Sequence, residues 1–85
     1  MAKKLESRIP FNKRPRNARR LFSLRKKLAL SQRELAQYFG VTPGAILLWE
    51  KGDRDLQGSS LKLLEIYEHF VEMDALSMIE KVLKR

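Results

Sequence analysis

The side chains with the most evident chemistry in this sequence are cations concentrated at one end. The 85 residues include 18 Lys and Arg against 10 Asp and Glu, a formal net charge of +8 at pH 7. Residues 1–27 hold eleven basic side chains and one acidic side chain, or +10, whereas residues 28–85 hold seven basic and nine acidic, or −2. Such asymmetry is expected of a segment that contacts a polyanion, and attraction to phosphates carries no sequence preference by itself.

Two other interpretations of the basic end are a solubilising tail and a membrane-surface anchor. Pro10 and Pro15 interrupt the first sixteen residues, which offer no continuous apolar helical face for an anchor. The longest strictly apolar run, residues 45–49, is far shorter than the roughly 20 residues that cross a bilayer. We therefore predict no membrane partner and a cytoplasmic location.

The sequence has few residues that could catalyse a reaction or bind a metal ion. The sequence has no cysteine and a single histidine, His69, whose neighbours on a helical face are glutamates, as in a solvated stripe. Ser59 and Ser60 are better explained as helix caps than as nucleophiles, since no base is placed near them. We predict no enzymatic activity, no metal site and no cofactor.

The elements that must position the cations are predicted to be helical throughout. Residues 1–15 should form a flexible basic arm, because Pro10 and Pro15 disfavour a helix interior. A domain over residues 16–85 should begin with a helix near Arg16 that ends near Ala29. Its buried stripe recurs at spacings of three and four, through Ala18, Leu21, Leu24 and Leu28.

Two short helices should follow over about residues 32–51. Ser31 and Glu34 have the spacing of a capping box, so the second helix should start at Gln32 and end at Gly40. Thr42 is a second N-cap and is followed by proline, which predicts a third helix from Pro43 to Glu50 or Lys51.

A fourth helix should begin between Gly58 and Ser60, with an apolar arc wider than one core contact requires. A separate fifth helix, at about residues 74–84, could cover that arc or pair with another subunit. No segment alternates apolar and polar residues as a half-buried β-strand does. The predicted fold class is therefore all-α, with five helices and an N-terminal basic arm.

The two short helices have the spacing of a helix-turn-helix, with small Ala36 where the helices approach and Gly40 in the turn. The pattern reads Leu30-Ser31-Gln32-xx-Leu35-Ala36-xxx-Gly40-Val41-Thr42-xxx-Ile46-xx-Trp49-Glu50-x-Gly52-x-Arg54. It resembles the Cro/repressor-type helix-turn-helix family, also called the xenobiotic-response-element family, over about residues 18–70. Trp49-Glu50 and the stretch 58–64 are similar in particular to antitoxin-type autorepressors.

The resemblance implies a five-helix fold that binds double-stranded DNA on inverted repeats as a homodimer and represses transcription, in a bacterium, an archaeon or a phage. Helix 43–51 would enter the major groove, which is about 12 Å wide. Leu56 stands where the family commonly has a proline, so a less rigid loop into the fourth helix is expected.

The helix expected to read DNA is almost without polar side chains. Helical spacing assigns Ala45, Ile46 and Trp49 to the core. The outward group comprises Pro43, Gly44, Leu47, Leu48 and Lys51. The outward side offers no Arg, Asn or Gln for a bidentate base contact, so selectivity should come from apolar contact with thymine methyl groups and from DNA shape. The candidate groove contacts are Pro43, Gly44, Leu47 and Leu48. The competing interpretation is that both leucines face another protein.

Phosphate contacts are predicted around this helix. The resemblance assigns Gln32 to the DNA backbone, and Thr42 lies at a helix N-terminus, which favours anions. Lys51 and Arg54 flank the far end, while Arg14 and Arg16 of the arm could follow the backbone or enter the minor groove.

Two alternatives to a repressor remain at this stage. One is an antitoxin or other protein-interaction module, with a cognate toxin as partner and DNA binding secondary. The other is an architectural or coactivator protein that uses the fold without a fixed operator.

Overall fold

The computed structural model describes residues 10–83 of the chain and the side chains of residues 10–74. It consists of four α-helices: α1 (Arg16–Leu28), α2 (Gln32–Phe39), α3 (Pro43–Lys51) and α4 (Ser59–Leu83). A single 3-10 turn, Phe11–Lys13, precedes them, and no strand occurs between residues 10 and 83. The all-helical fold class is confirmed.

The helix-turn-helix forms where its local signals predict. Ser31 Oγ accepts a hydrogen bond from the Glu34 amide at 3.0 Å, and Glu34 Oε1 accepts one from the Ser31 amide at 2.8 Å, which completes the capping box. Gly40 ends α2 at a φ of +69°, a left-handed conformation that glycine adopts without steric cost. Thr42 caps α3 by accepting from the Ala45 amide at 3.2 Å.

The core joins one face of each helix to the loop before α4. The largest fully buried side chains are Leu21, Leu35, Ile46, Leu56 and Leu64. Leu56 lies in a segment whose other residues are polar, yet it is buried in the same cluster as Ile46. The side chain that replaces the family's proline therefore anchors this loop by packing.

The predicted fifth helix is not a separate element. Residues 74–83 continue α4 without interruption, so α4 has 25 residues and a length of about 37 Å at the usual rise. Between Ser59 and Leu83 the sequence contains no glycine or proline that could end the helix. The apolar spacing of residues 74–83 correctly predicts a helix, but no local signal supports a helix boundary near Asp74.

Part of the predicted arm makes contacts with the rest of the domain. Residues 1–9 lie outside the described residues, but residues 10–15, which we call the strap, pack against the body. The Phe11 and Phe22 rings lie 5.1 Å apart, and Pro15 serves as the N-cap residue of α1. Proline disfavours a helix interior but not the 3-10 turn and the extended residues that make up the strap.

Candidate nucleic-acid interface

Helix α3 is held by one face and presents the other to solvent. Ile46, Trp49 and Glu50 are buried, as helical spacing requires of residues at i, i+3 and i+4. Pro43 and Gly44, in the first turn of the helix, are exposed, and Leu47 is 43% exposed. Ala45, Leu48 and Lys51 are partly buried.

The inner end of α3 carries a buried carboxylate. Glu50 is only 3% exposed, and it accepts hydrogen bonds from Arg25 Nε at 2.6 Å and from Arg25 Nη2 at 3.0 Å. The Gln32 side-chain amide donates to the same carboxylate at 3.1 Å. Among the described residues no buried side-chain nitrogen or oxygen lacks a partner, so this network is fully satisfied.

The same residue is also held through its backbone. Arg14 Nη1 of the strap donates to the Glu50 carbonyl oxygen at 3.2 Å, and Arg25 Nη1 reaches the Leu30 carbonyl at 3.1 Å. Glu50 thus connects the last turn of α3 to α1, to the first residue of α2 and to the strap. We call Glu50, Arg25 and Gln32 the carboxylate hub.

The predicted DNA-contacting residues fall into two groups. Thr42, Pro43, Gly44 and Leu47 form an exposed patch at the start of α3, with Leu48 beside it. The predicted phosphate-binding residues are spread around α3 and the strap, namely Gln32, Lys51, Arg54, Arg14 and Arg16.

Several of these phosphate-binding candidates already have protein contacts. Gln32 donates to Glu50, Arg14 donates to the Glu50 carbonyl, and Lys51 Nζ lies 3.3 Å from an Asp53 carboxylate oxygen. Arg16 and Arg54 are exposed. The two arm arginines therefore differ in environment although they are two residues apart.

The residues that the sequence analysis missed are Arg25 and Glu50. Helical spacing could have predicted that Glu50 is buried, because Glu50 lies four residues after Ile46 and shares its buried face. A buried acidic residue requires a cationic partner. Choosing Arg25 among the many arginines requires the packing of α1 against α3.

A groove of about 800 Å³ lies on another side of the molecule, between α1 and α4. Cations of α1, including Arg16, Arg19 and Lys27, line one wall, and Glu65, Glu68, His69 and Glu72 line the other. Arg20 crosses it to Glu68 with two hydrogen bonds, of 2.6 Å and 3.0 Å. The hydrogen bond to Glu68 raises the pKa of Arg20, and partial burial opposes that rise.

Nothing in the described part of the chain assembles a metal site. His69 stands beside glutamates, but no group of three or more His, Cys, Asp or Glu side chains among the described residues could hold an ion. Across residues 10–83 no helix is both long and apolar enough to span a bilayer.

Comparison with known proteins identifies the class to which this fold and exposed helix belong. A model of the helix-turn-helix family, of the Cro/C1 type, matches residues 21–67, more than half of the chain. The chain belongs to this family of DNA-binding proteins. No curated protein and no solved structure gave a match.

Proposed function

We propose that this protein is a sequence-selective double-stranded DNA-binding repressor of transcription that acts as a homodimer and inserts α3 into the major groove. The observation that carries the proposal is the exposed start of α3, with Leu47 43% exposed on a helix whose opposite face is buried. A helix presented in this way can enter a major groove while the body stays outside it.

Apolar contact supplies the base discrimination in this proposal. Leu47 and Leu48 pack on thymine methyl groups, while Pro43 and Gly44 allow a close approach of the backbone. Burying an exposed leucine is worth roughly 1.5–3 kcal/mol when complete, and groove burial is partial. Selectivity is therefore modest and favours A·T-rich half-sites.

Phosphates hold the domain in register. The N-terminal end of α3 at Thr42 attracts an anion, and Gln32 retains donor and acceptor capacity beyond its bond to Glu50. Lys51, Arg54 and Arg16 supply further charge, which makes affinity fall as salt rises.

A randomised-site selection followed by binding titrations tests the proposal. Leu47→Ala should weaken binding to the selected duplex by about five- to tenfold through lost methyl contact. Leu28→Ala is the matched control, because it removes the same atoms from α1. Leu28 is 36% exposed, so its predicted place in the buried stripe of α1 is wrong. Failure of the selection to enrich any sequence, or an invariant guanine under α3, would contradict this mode of recognition.

The homodimer is supported by an exposed apolar row on α4. Ile66, Phe70 and Met73 lie at i, i+4 and i+7 and are 43%, 63% and 54% exposed, although α4 also contributes buried Leu64 to the core. A second copy that covers this row would give the two-fold arrangement that inverted repeats require.

Light scattering of the full chain tests this assembly. Phe70→Glu should convert a dimer into a monomer. Gln37→Glu, which adds the same charge at an exposed position of α2, should leave the mass unchanged. A wild-type chain that stays monomeric at all concentrations would exclude the dimer.

The same apolar row supports the second candidate function, a protein-interaction module of the antitoxin type. In that case the row covers a different protein, and Phe70→Glu abolishes its capture without changing the mass of the isolated chain. A gene for a toxin-sized protein next to this one would favour this candidate. A mobility shift on the protein's own promoter would favour the repressor.

A further inference from the structure

We propose that the strap is a positioning element for α3, and that Arg14 and Pro15 set the orientation in which α3 meets DNA. This inference rests on the proposed function, because it assigns these residues a role in specific DNA binding. The sequence predicts that they are part of a flexible basic arm. Its basis is a set of contacts between the strap and the C-terminal end of α3.

The first contact is a hydrogen bond to the end of the helix. Arg14 Nη1 donates to the Glu50 carbonyl at 3.2 Å, and Glu50 is the next-to-last residue of α3. The last four carbonyls of a helix have no partner within it, and cations there interact favourably with the helix dipole. Arg14 therefore fixes the end of α3 through an atom that the helix itself leaves available.

The second contact is steric. Gly52, which ends α3 at a φ of +88°, lies so close to the strap that a Cβ placed on it would be 2.7 Å from Pro15 Cδ. Real Cβ atoms essentially never lie this close to another heavy atom, so either the turn or the proline ring would have to move. Because Pro15 is also the N-cap residue of α1, this contact joins the end of α3 directly to the start of α1.

The third contact prevents the strap from sliding along the body. The Phe11 ring packs on Phe22 at 5.1 Å, and the Arg25 guanidinium lies 5.4 Å from the centre of the Phe22 ring. Arg19 Nε also donates to the Arg14 carbonyl at 3.1 Å. The strap thus reaches Glu50 by two routes, through Arg14 and through the chain of contacts from Phe11 to Arg25.

These contacts predict a distinctive effect on binding. Specific recognition needs α3 at a fixed angle in the groove, whereas non-specific attraction depends on the total charge. Loss of the strap contacts should therefore lower affinity for the selected duplex more than affinity for a scrambled one. Loss of a cation that only contacts phosphate should lower both alike.

Arg14→Gln and Arg16→Gln form a matched pair for this test, since each removes one cation and only Arg14 contacts α3. The measurement is the ratio of the Kd for a scrambled duplex to the Kd for the selected duplex, over a range of salt concentrations, in variants shown to be folded. We expect Arg14→Gln to reduce the ratio about tenfold, in line with loss of a charged hydrogen bond. Arg14→Lys, which can still donate to the carbonyl, should recover part of it.

Arg16→Gln should leave the ratio unchanged and reduce the salt slope by about one if it contacts a phosphate. An equal ratio in Arg14→Gln and in wild type would overturn the positioning role of Arg14. A ratio of one in wild-type protein would instead overturn the proposed function, and the strap inference would fall with it.

A double-mutant cycle provides a test without any change of charge. Gly52→Ala should reduce the ratio at least threefold, because the new Cβ presses against Pro15. In a Pro15→Ala background the same change should have a smaller effect, since the ring atoms are gone, while the backbone cost at Gly52 is common to both. Equal effects of Gly52→Ala in the two backgrounds would overturn the steric contact as a determinant of orientation.

Discussion

Two arginine–glutamate pairs in this molecule have nearly the same geometry and different surroundings. Arg25 and Glu50 form hydrogen bonds of 2.6 and 3.0 Å, and so do Arg20 and Glu68. The side chains of the first pair are 12% and 4% exposed, and those of the second are 23% and 32% exposed. Distance alone therefore does not distinguish them, and burial does.

Burial changes what each pair contributes. Removing one partner from a buried pair leaves a charge without solvent or counter-ion, whereas water and salt replace the lost partner near the surface. A buried pair need not be more stabilising than an apolar replacement of both partners. At α3 the pair joins the end of the helix to α1, and Gln32 adds a contact from the start of α2.

The pH dependence of the partly buried pair follows from the direction of the pKa shift of Arg20. A raised pKa for Arg20 adds stability that is fully present below the ordinary pKa of arginine and is lost only as pH rises past the shifted value. Both values lie far above neutrality. Titration of Arg20 therefore leaves stability unchanged near pH 7.

The largest expected effect breaks the buried pair. Glu50→Gln should lower the free energy of unfolding by about 3–5 kcal/mol, because Arg25 would remain buried without its counter-ion. Urea unfolding of the full chain measures it. A loss below about 1 kcal/mol would show that water reaches Arg25 and that the two pairs are equivalent.

A smaller effect should come from changing the shape of the cation while keeping its charge. Arg25→Lys loses the bidentate contact with Glu50 and the hydrogen bond to the Leu30 carbonyl. We expect this to lower the free energy of unfolding in urea by about 1.5–3 kcal/mol. Arg20→Lys in the partly buried pair is the matched control and should cost less. Equal costs would mean that fork geometry matters as little at the hub as at the surface.

The turn beside the hub offers a gain in stability. Ala29 ends α1 at a φ of +58°, a left-handed conformation that strains a residue with a Cβ. Ala29→Gly should raise the free energy of unfolding by about 1 kcal/mol, measured by thermal or urea unfolding. Ala45→Gly, within the right-handed helix α3, should instead lower it by about the same amount. A loss at position 29 would contradict the strain.

The smallest effect belongs to the partly buried pair, Arg20 and Glu68. Glu68→Gln should cost no more than about 1 kcal/mol, and the cost should shrink as salt is added because water and ions screen the pair. The cost of Glu50→Gln should persist in high salt. If both costs vanished together in salt, burial would not be what separates the two pairs.

Local signals account for the parts of the fold that the sequence predicted well. Both ends of α2 and the start of α3 follow from Ser31, Gly40 and Thr42, whose hydrogen bonds or backbone conformations involve only neighbouring residues. The continuity of α4 was missed because an apolar spacing gives no boundary by itself. The folding of the strap was missed because its contacts with Glu50 and Gly52 lie more than thirty residues away.

In the candidate site, too, local spacing predicts one part and helix packing decides the other. The exposed start of α3 was predictable, since Thr42 and Pro43 fix its beginning and Ile46 fixes which face is buried. The network at its other end was not, because Arg25, Gln32 and Glu50 meet only after three helices have packed. The predicted phosphate contacts of Gln32 and Arg14 remain predictions, with protein partners now known for both.

By itself the sequence determined the helices of the motif, the face of α3 that is buried and the membership of the helix-turn-helix family, because each depends on residue types at short, fixed spacings. The tertiary structure decided which arginine neutralises Glu50 and which cations remain exposed. It also decided that Arg14 and Pro15 contact the end of α3. These outcomes depend on burial and on distances between remote segments, which a linear pattern does not specify.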